Sequence, residues 1–133
     1  MENVEKVCNF LDKAKCYYLA TIDNNKPKVR IFGTNIVYDN KLYIQSGKGK
    51  NVVKQIKTNP NVEICAFDGD TWVRISGELV NDNNYEVKIK MLDKMPDLKK
   101  MYNPDDDSME MFYFKNATAT FCSFMKDPES FTF

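Results

Sequence analysis

The sequence predicts a mainly β protein: a small antiparallel barrel with helices packed against it. Three observations predict this. Short segments alternating apolar and polar residues recur along the chain, separated by polar turns such as Asn24-Asn25-Lys26-Pro27, Asp39-Asn40 and Asp68-Gly69-Asp70. Helical periodicity is confined to three stretches. The 133 residues amount to one domain, residues 1–133, and closing its sheet into a barrel removes exposed edges.

The elements follow in order. Glu2–Lys13 places Val4, Val7, Cys8 and Leu11 on one helical face. Tyr17–Asp23 (YYLATID), Lys28–Tyr38 (KVRIFGTNIVY) and Lys41–Ser46 (KLYIQS) alternate as strands, and their tight turns predict an antiparallel meander. Gly47–Gly49 is a loop. Lys50–Lys57 is a helix with Val52, Val53 and Ile56 on one face, stopping before Asn59-Pro60. Asn61–Phe67 and Thr71–Val80 are strands. In Asp82–Asn103 the spacing of Val87, Met91, Leu92, Met95, Leu98 and Met101 predicts two short helices broken at Pro96, with the Met/Leu stripe used for packing. Asn103–Asp107 is an acidic, solvated loop. Met111–Phe114 and Ala117–Phe124 are the last strands, and Lys126–Phe133 is a loop-like tail.

Composition excludes several functions. Nineteen Lys+Arg balance nineteen Asp+Glu, and no basic run escapes nearby acids, so no nucleic-acid face is expected. No apolar run approaches a membrane span, and Met1–Lys15 lacks the features of a signal peptide; a cytoplasmic protein is expected. With no histidine there is no Ser-His-Asp or Cys-His nucleophile and no His-ligated metal or haem. No catalytic side chain stands out, and no metal is expected. Cys8, Cys16, Cys65 and Cys122 have no metal spacing and read as buried, reduced thiols.

Three places break the alternation. Arg30 lies mid-strand beside aromatics, either facing solvent or contacting an anion. Ser46-Gly47-Lys48-Gly49-Lys50-Asn51 runs from a strand through a glycine-bearing loop into a helix start. That is either an ordinary turn or a phosphate cradle, and it is not a P-loop. Trp72, Arg74, Ser76 and Glu78 share a polar strand face opposite a core face of Val73, Ile75, Gly77 and Leu79. The polar face is either exposed or an interface or ligand wall.

Taken together, YYLATID, KPKVRIFGTNIVYDNKLYIQSGKGKNVVKQIKTNPNVEICAF and WVRISGELV resemble the pyridoxamine 5'-phosphate oxidase-like FMN-binding split-barrel family, in particular its short, Nim-like members. The resemblance runs from about Val4 to Met125. It implies a six-stranded Greek-key barrel and a two-fold homodimer with FMN between subunits. It implies that Arg30, Lys48 and Lys50, with Ser46 and Asn51, hold the phosphate. It further implies that the backbones at Ile31-Phe32 and Ile44-Gln45 meet the flavin edge, and that Trp72 and Arg74 approach from a neighbouring strand or the partner. The implied activity passes electrons from NAD(P)H to a small acceptor such as a nitro compound or quinone; the alternatives are a non-catalytic flavin-binding or sensing module and a dimer with a degenerate site. The tail KDPESFTF lacks a basic substrate-binding segment, which argues against pyridoxamine phosphate oxidation, and the missing imidazole argues against haem cleavage.

Overall fold

The computed structural model describes all 133 residues. Eight strands and three α-helices follow in the order α1 (Asn3–Ala14), β1 (Tyr17–Asp23), β2 (Lys26–Phe32), β3 (Ile36–Tyr38), β4 (Lys41–Gly47), α2 (Asn51–Thr58), β5 (Asn61–Phe67), β6 (Trp72–Asn81), α3 (Tyr85–Lys94), a 3-10 turn (Pro96–Lys100), β7 (Met109–Cys122) and β8 (Glu129–Thr132). Six strands are seven residues or longer; β3 and β8 are short additions. The mainly β, split-barrel class therefore stands, with eight strands rather than six.

All ladders are antiparallel, in the order β2-β1-β5-β6-β7-β4-β3, with β8 alongside β7. The expected meander is corrected here: β2 pairs with β1 and β3 with β4, but no ladder joins β2 to β3 or β4. Both hairpins turn on two residues with left-handed backbone, Asn24 and Asn25 (φ 47° and 68°) and Asp39 and Asn40 (φ 51° and 57°). These are the conformations that match strand twist, and Asn and Asp adopt them at low cost. Lys26 and Pro27 thus belong to β2, where Pro27 is tolerated because β2 is an edge strand.

The last two expected strands are one. β7 runs through Lys115-Asn116 by a bulge: Ser76 faces Thr118 but Glu78 faces Lys115, so β7 carries an extra residue opposite Gly77. Asn116 takes the left-handed conformation there (φ 53°) and its amide donates to Glu78 Oε2 at 3.0 Å. The tail also departs from expectation, because Glu129–Thr132 pairs with β7.

One core joins the inward faces of strands far apart in the ladder: Leu19, Ile44, Ile64, Ile75, Phe112 and Ala119 share a cluster with Val7 and Leu11 of α1 and Val53 and Ile56 of α2. That shared core defines a barrel with an open seam between β2 and β4. A second cluster packs Val87, Met91 and Leu92 of α3 on Tyr43, Met109 and Met111. Of the four free cysteines only Cys8 is buried; Cys65 is exposed and Cys16 and Cys122 are half-buried. No helix is long and apolar enough to cross a membrane.

Candidate functional site

The open seam holds a cleft of about 250 Å³. Arg30 through Thr34 form one wall, Gln45, Ser46, Lys50 and Val52 the second, and Leu98, Met101 and Tyr102 the third. Thr34 fastens the deep end. Its hydroxyl accepts from the Gln45 N–H (3.0 Å) and donates to the Gln45 carbonyl (3.1 Å), standing where a ladder pair would otherwise be. The Tyr17 hydroxyl donates to the Thr34 carbonyl at 2.6 Å, which fixes the backbone of that wall.

Arg30 reaches inward because strand alternation turns Val29 and Ile31 outward and Arg30 and Phe32 toward the seam. Its Nη1 donates to the Leu19 carbonyl at 3.0 Å and its Nη2 to Gln55 Oε1 at 2.8 Å. Gln55 is itself held by the Thr21 hydroxyl at 2.6 Å. Both partners of Arg30 are neutral oxygens, so its charge is uncompensated, and partial burial lowers its pKa from the usual arginine value. Three of its five donor hydrogens remain for a ligand. Lys50 precedes the first residue of α2, a helix with no side-chain cap and no acid in its first turn. The Lys50 ammonium likewise has no carboxylate partner. Two cations without a carboxylate partner and an uncapped helix start therefore border one cleft whose lining is half apolar, an arrangement suited to an anionic, ring-containing ligand.

The third wall is held by Lys94 at the end of α3. Its ammonium donates to Asp12 Oδ1 (3.0 Å) on α1 and to the Asn35 carbonyl (2.9 Å), tying the chain just before Leu98 to the loop just after Thr34. The Cys8 thiol donates to Asn35 Oδ1 at 2.9 Å in the same cluster, and burial pushes its pKa up, so it is a packing group rather than a nucleophile.

The structure brings Arg30, Ile31, Phe32, Gln45, Ser46 and Lys50 together around this cleft. It places the other sequence candidates elsewhere. Lys48 is exposed and ion-paired with Asp107, which raises its pKa and lowers that of Asp107. Arg74 is bound to Glu63 (2.6 Å) on the outer sheet face, and Trp72 packs on Phe124 (ring centroids 4.9 Å apart). Asn51 is exposed at the helix start outside the cleft lining; the Ile44 side chain is buried in the core, which leaves the expected contact by its backbone beside Gln45 open. Reading the sequence missed Gly33, Thr34, Val52, Leu98, Met101 and Tyr102. Gly33 and Thr34 lay in an apparent strand, and Leu98 and Met101 in an apparent packing stripe.

A split β-barrel whose seam carries a cleft lined by two cations and several apolar side chains is the class of protein defined here. The chain belongs to the pyridoxamine 5'-phosphate oxidase family, whose model matches residues 4–119. It is similar to a NimC/NimA family protein from Clostridium acetobutylicum, at 38% identity and TM-score 0.94 over 98% of this chain and 92% of that one. The fold is shared with General Stress Protein 26 from Bacillus anthracis (20% identity, TM-score 0.78, all of both chains). It is also shared with a pyridoxamine 5'-phosphate oxidase-related, FMN binding protein from Nostoc punctiforme (14% identity, TM-score 0.67, 97% of this chain and 95% of that one). Among curated proteins, none matches the sequence.

Proposed function

We propose that the chain binds FMN in the seam cleft and acts as an oxidoreductase, passing electrons from NAD(P)H to a small acceptor such as a nitro compound or quinone. The observation that carries this reading is the pair of cations without a carboxylate partner, Arg30 and Lys50, lining one partly apolar cleft. Arg30, oriented by Gln55 and the Leu19 carbonyl, and Lys50 hold the phosphate. Ile31, Phe32, Leu98 and Met101 exclude water from the ring. Bound FMN supplies the hydride and electron chemistry, and no protein imidazole is needed for it.

The working unit in this reading is a homodimer. Clefts for ligands of this size run to about 300–1,000 Å³, and this one falls short at about 250 Å³. The outer face of β2, β1 and β5 exposes Val29 (68%), Ile31 (61%), Tyr18 (50%) and Phe67 (55%) on one continuous surface. Ile31 belongs both to that face and to the cleft. A second copy covering the face would complete the cleft.

The test is the visible spectrum of protein purified without added cofactor, followed by NAD(P)H oxidation with a panel of acceptors. A flavin spectrum with acceptor-dependent turnover is expected. Bound flavin without turnover makes the chain a binding or sensing module. Colourless protein that takes up no FMN, or a haem spectrum, refutes the cofactor assignment.

A further inference from the structure

We infer that the Tyr102 hydroxyl is a third donor to the anion held by Arg30 and Lys50, and that residue 47 is glycine to make room for it. The inference rests on the FMN reading above. Tyr102 comes from the chain after the 3-10 turn, far in sequence from both cations, and lines the cleft. Its N–H donates to the Leu98 carbonyl at 2.9 Å and its ring packs on the cluster around Tyr43 and Met109, so its position is set by the fold.

Gly47 shows where the hydroxyl points. A Cβ at residue 47 would lie 2.8 Å from the Tyr102 hydroxyl, 3.2 Å from its Cε1 and 3.4 Å from Lys50 Cε. The tip of the phenol therefore lies on the Gly47 backbone, beside the Lys50 side chain. Gly47 does not take a positive φ, unlike Gly49 and Gly69, so conformation alone does not call for glycine there. The atoms an added methyl would meet are side-chain ends, so its effect is to push the Tyr102 hydroxyl aside rather than to distort the backbone.

Three other tyrosine hydroxyls are used within the chain: Tyr17 donates to the Thr34 carbonyl, Tyr38 to Glu86 and Tyr43 to Asp82, while Tyr113, which packs in the same cluster, does not line the cleft. The Tyr102 hydroxyl has no such partner. A neutral O–H beside an unpaired ammonium, in a cleft walled by apolar groups, gains most by donating to an anionic oxygen. This makes Tyr102 a specificity residue: it favours the phosphorylated flavin over the same ring without phosphate.

The experiment titrates wild type, Tyr102→Phe, Gly47→Ala, the double variant and Arg30→Ala with FMN and with riboflavin, by quenching of flavin fluorescence. Tyr102→Phe keeps the ring and loses the hydroxyl, so FMN affinity should fall roughly ten- to a hundredfold while riboflavin affinity stays constant. Gly47→Ala should cost FMN a similar factor in wild type, by displacing the hydroxyl, and much less in the Tyr102→Phe background. Thermal melts of the ligand-free proteins check that Tyr102→Phe folds as wild type does. If wild type prefers FMN, Arg30→Ala abolishes the preference and Tyr102→Phe leaves it intact, the inference falls and the FMN reading survives. Equal losses of FMN and riboflavin on Tyr102→Phe also overturn it, because the ring rather than the hydroxyl then matters. A wild-type chain that takes up neither flavin overturns both.

Discussion

Removing the cations one at a time tests how the structure sorts them. Arg30 and Lys50 face the cleft without a carboxylate, whereas Lys48 is tied to Asp107 and Arg74 to Glu63. A charge-assisted contact to phosphate is worth about 1.5–3 kcal/mol, so Arg30→Ala and Lys50→Ala should each weaken FMN binding roughly ten- to a hundredfold. Lys48 is 60% exposed, and an exposed ion pair contributes about 0–1 kcal/mol, so Lys48→Ala should change affinity by no more than about fivefold. Arg74→Ala should leave it unchanged within one subunit's cleft. Arg30→Ala carries a second cost, because it strips a donor from the Leu19 carbonyl while Gln55 keeps Thr21. That loss is about 1 kcal/mol, a few degrees in Tm, so titrations belong well below the melting range. The assay is fluorescence titration at two salt concentrations. Equal losses for all four variants, or a larger loss for Lys48→Ala than for Lys50→Ala, would refute the sorting.

Three further outcomes follow from the fold. A methyl added at Gly77 meets Ala117 Cα and Cβ at 3.1 Å and the Lys115 carbonyl at 3.2 Å, mostly backbone that cannot step aside. Overpacking of about 1–3 kcal/mol, less a gain of about 0.4–1 kcal/mol from a stiffer unfolded chain, makes Gly77→Ala destabilising. Gly33→Ala, with its nearest neighbour at 3.8 Å, is the control, and equal melts for the two sink the bulge argument. Ile31→Asp should turn a dimer into a monomer in sedimentation at micromolar concentration, and a wild-type monomer that still holds FMN contradicts the shared cleft. Asp68 accepts from the Asp70 and Thr71 N–H groups at 2.9 and 2.8 Å and pairs with Lys13; the backbone bonds lead in lowering its pKa from 3.8 to about 2. A depressed carboxyl contributes stability above its unfolded pKa and loses it as pH falls through the folded one. The stability gap between wild type and Asp68→Asn should therefore close from pH 4 to pH 2, and a gap constant with pH refutes the assignment.

How much of this was legible in the sequence depended on whether the controlling partner was near or far. Tyr17–Asp23, Asn61–Phe67 and the core face of Trp72–Asn81 follow from alternation, and α2 from its Val/Ile face and the Asn-Pro stop. The boundary between β2 and β3 did not, because VRIFGTNIVY keeps alternating while the backbone leaves the ladder at Gly33. β7 looked interrupted because Lys115-Asn116 is polar, and only pairing with β6 shows a bulge. Arg30 and Lys50 stood out as charges in uncharacteristic places. Separating Lys50 from Lys48 was out of reach, because the group that neutralises Lys48 is Asp107 in the acidic loop, which reads as merely solvated. Tyr102, Leu98 and Met101 were hidden for a related reason: a stripe at helical spacing signals burial but not which cavity it borders.

The balanced charge of the chain thus says less about ligands than the pattern of pairing does. Nineteen cations and nineteen acids cancel in sum, but of the cations without a carboxylate partner Arg30 and Lys50 both line one seam. At the seam the sheet gives up its ladder: the Thr34 hydroxyl takes both backbone groups of Gln45 and the rest stays open. Closing β2 onto β4 would add backbone hydrogen bonds and remove an edge, both favourable for folding. The same closure would fill the cleft that Arg30 and Lys50 line and cost both cations their access to solvent or ligand. The open seam and the exposure of these two cations to the cleft therefore go together. On the FMN reading, an anionic ligand would take the place of the missing ladder and supply the charge these two cations lack.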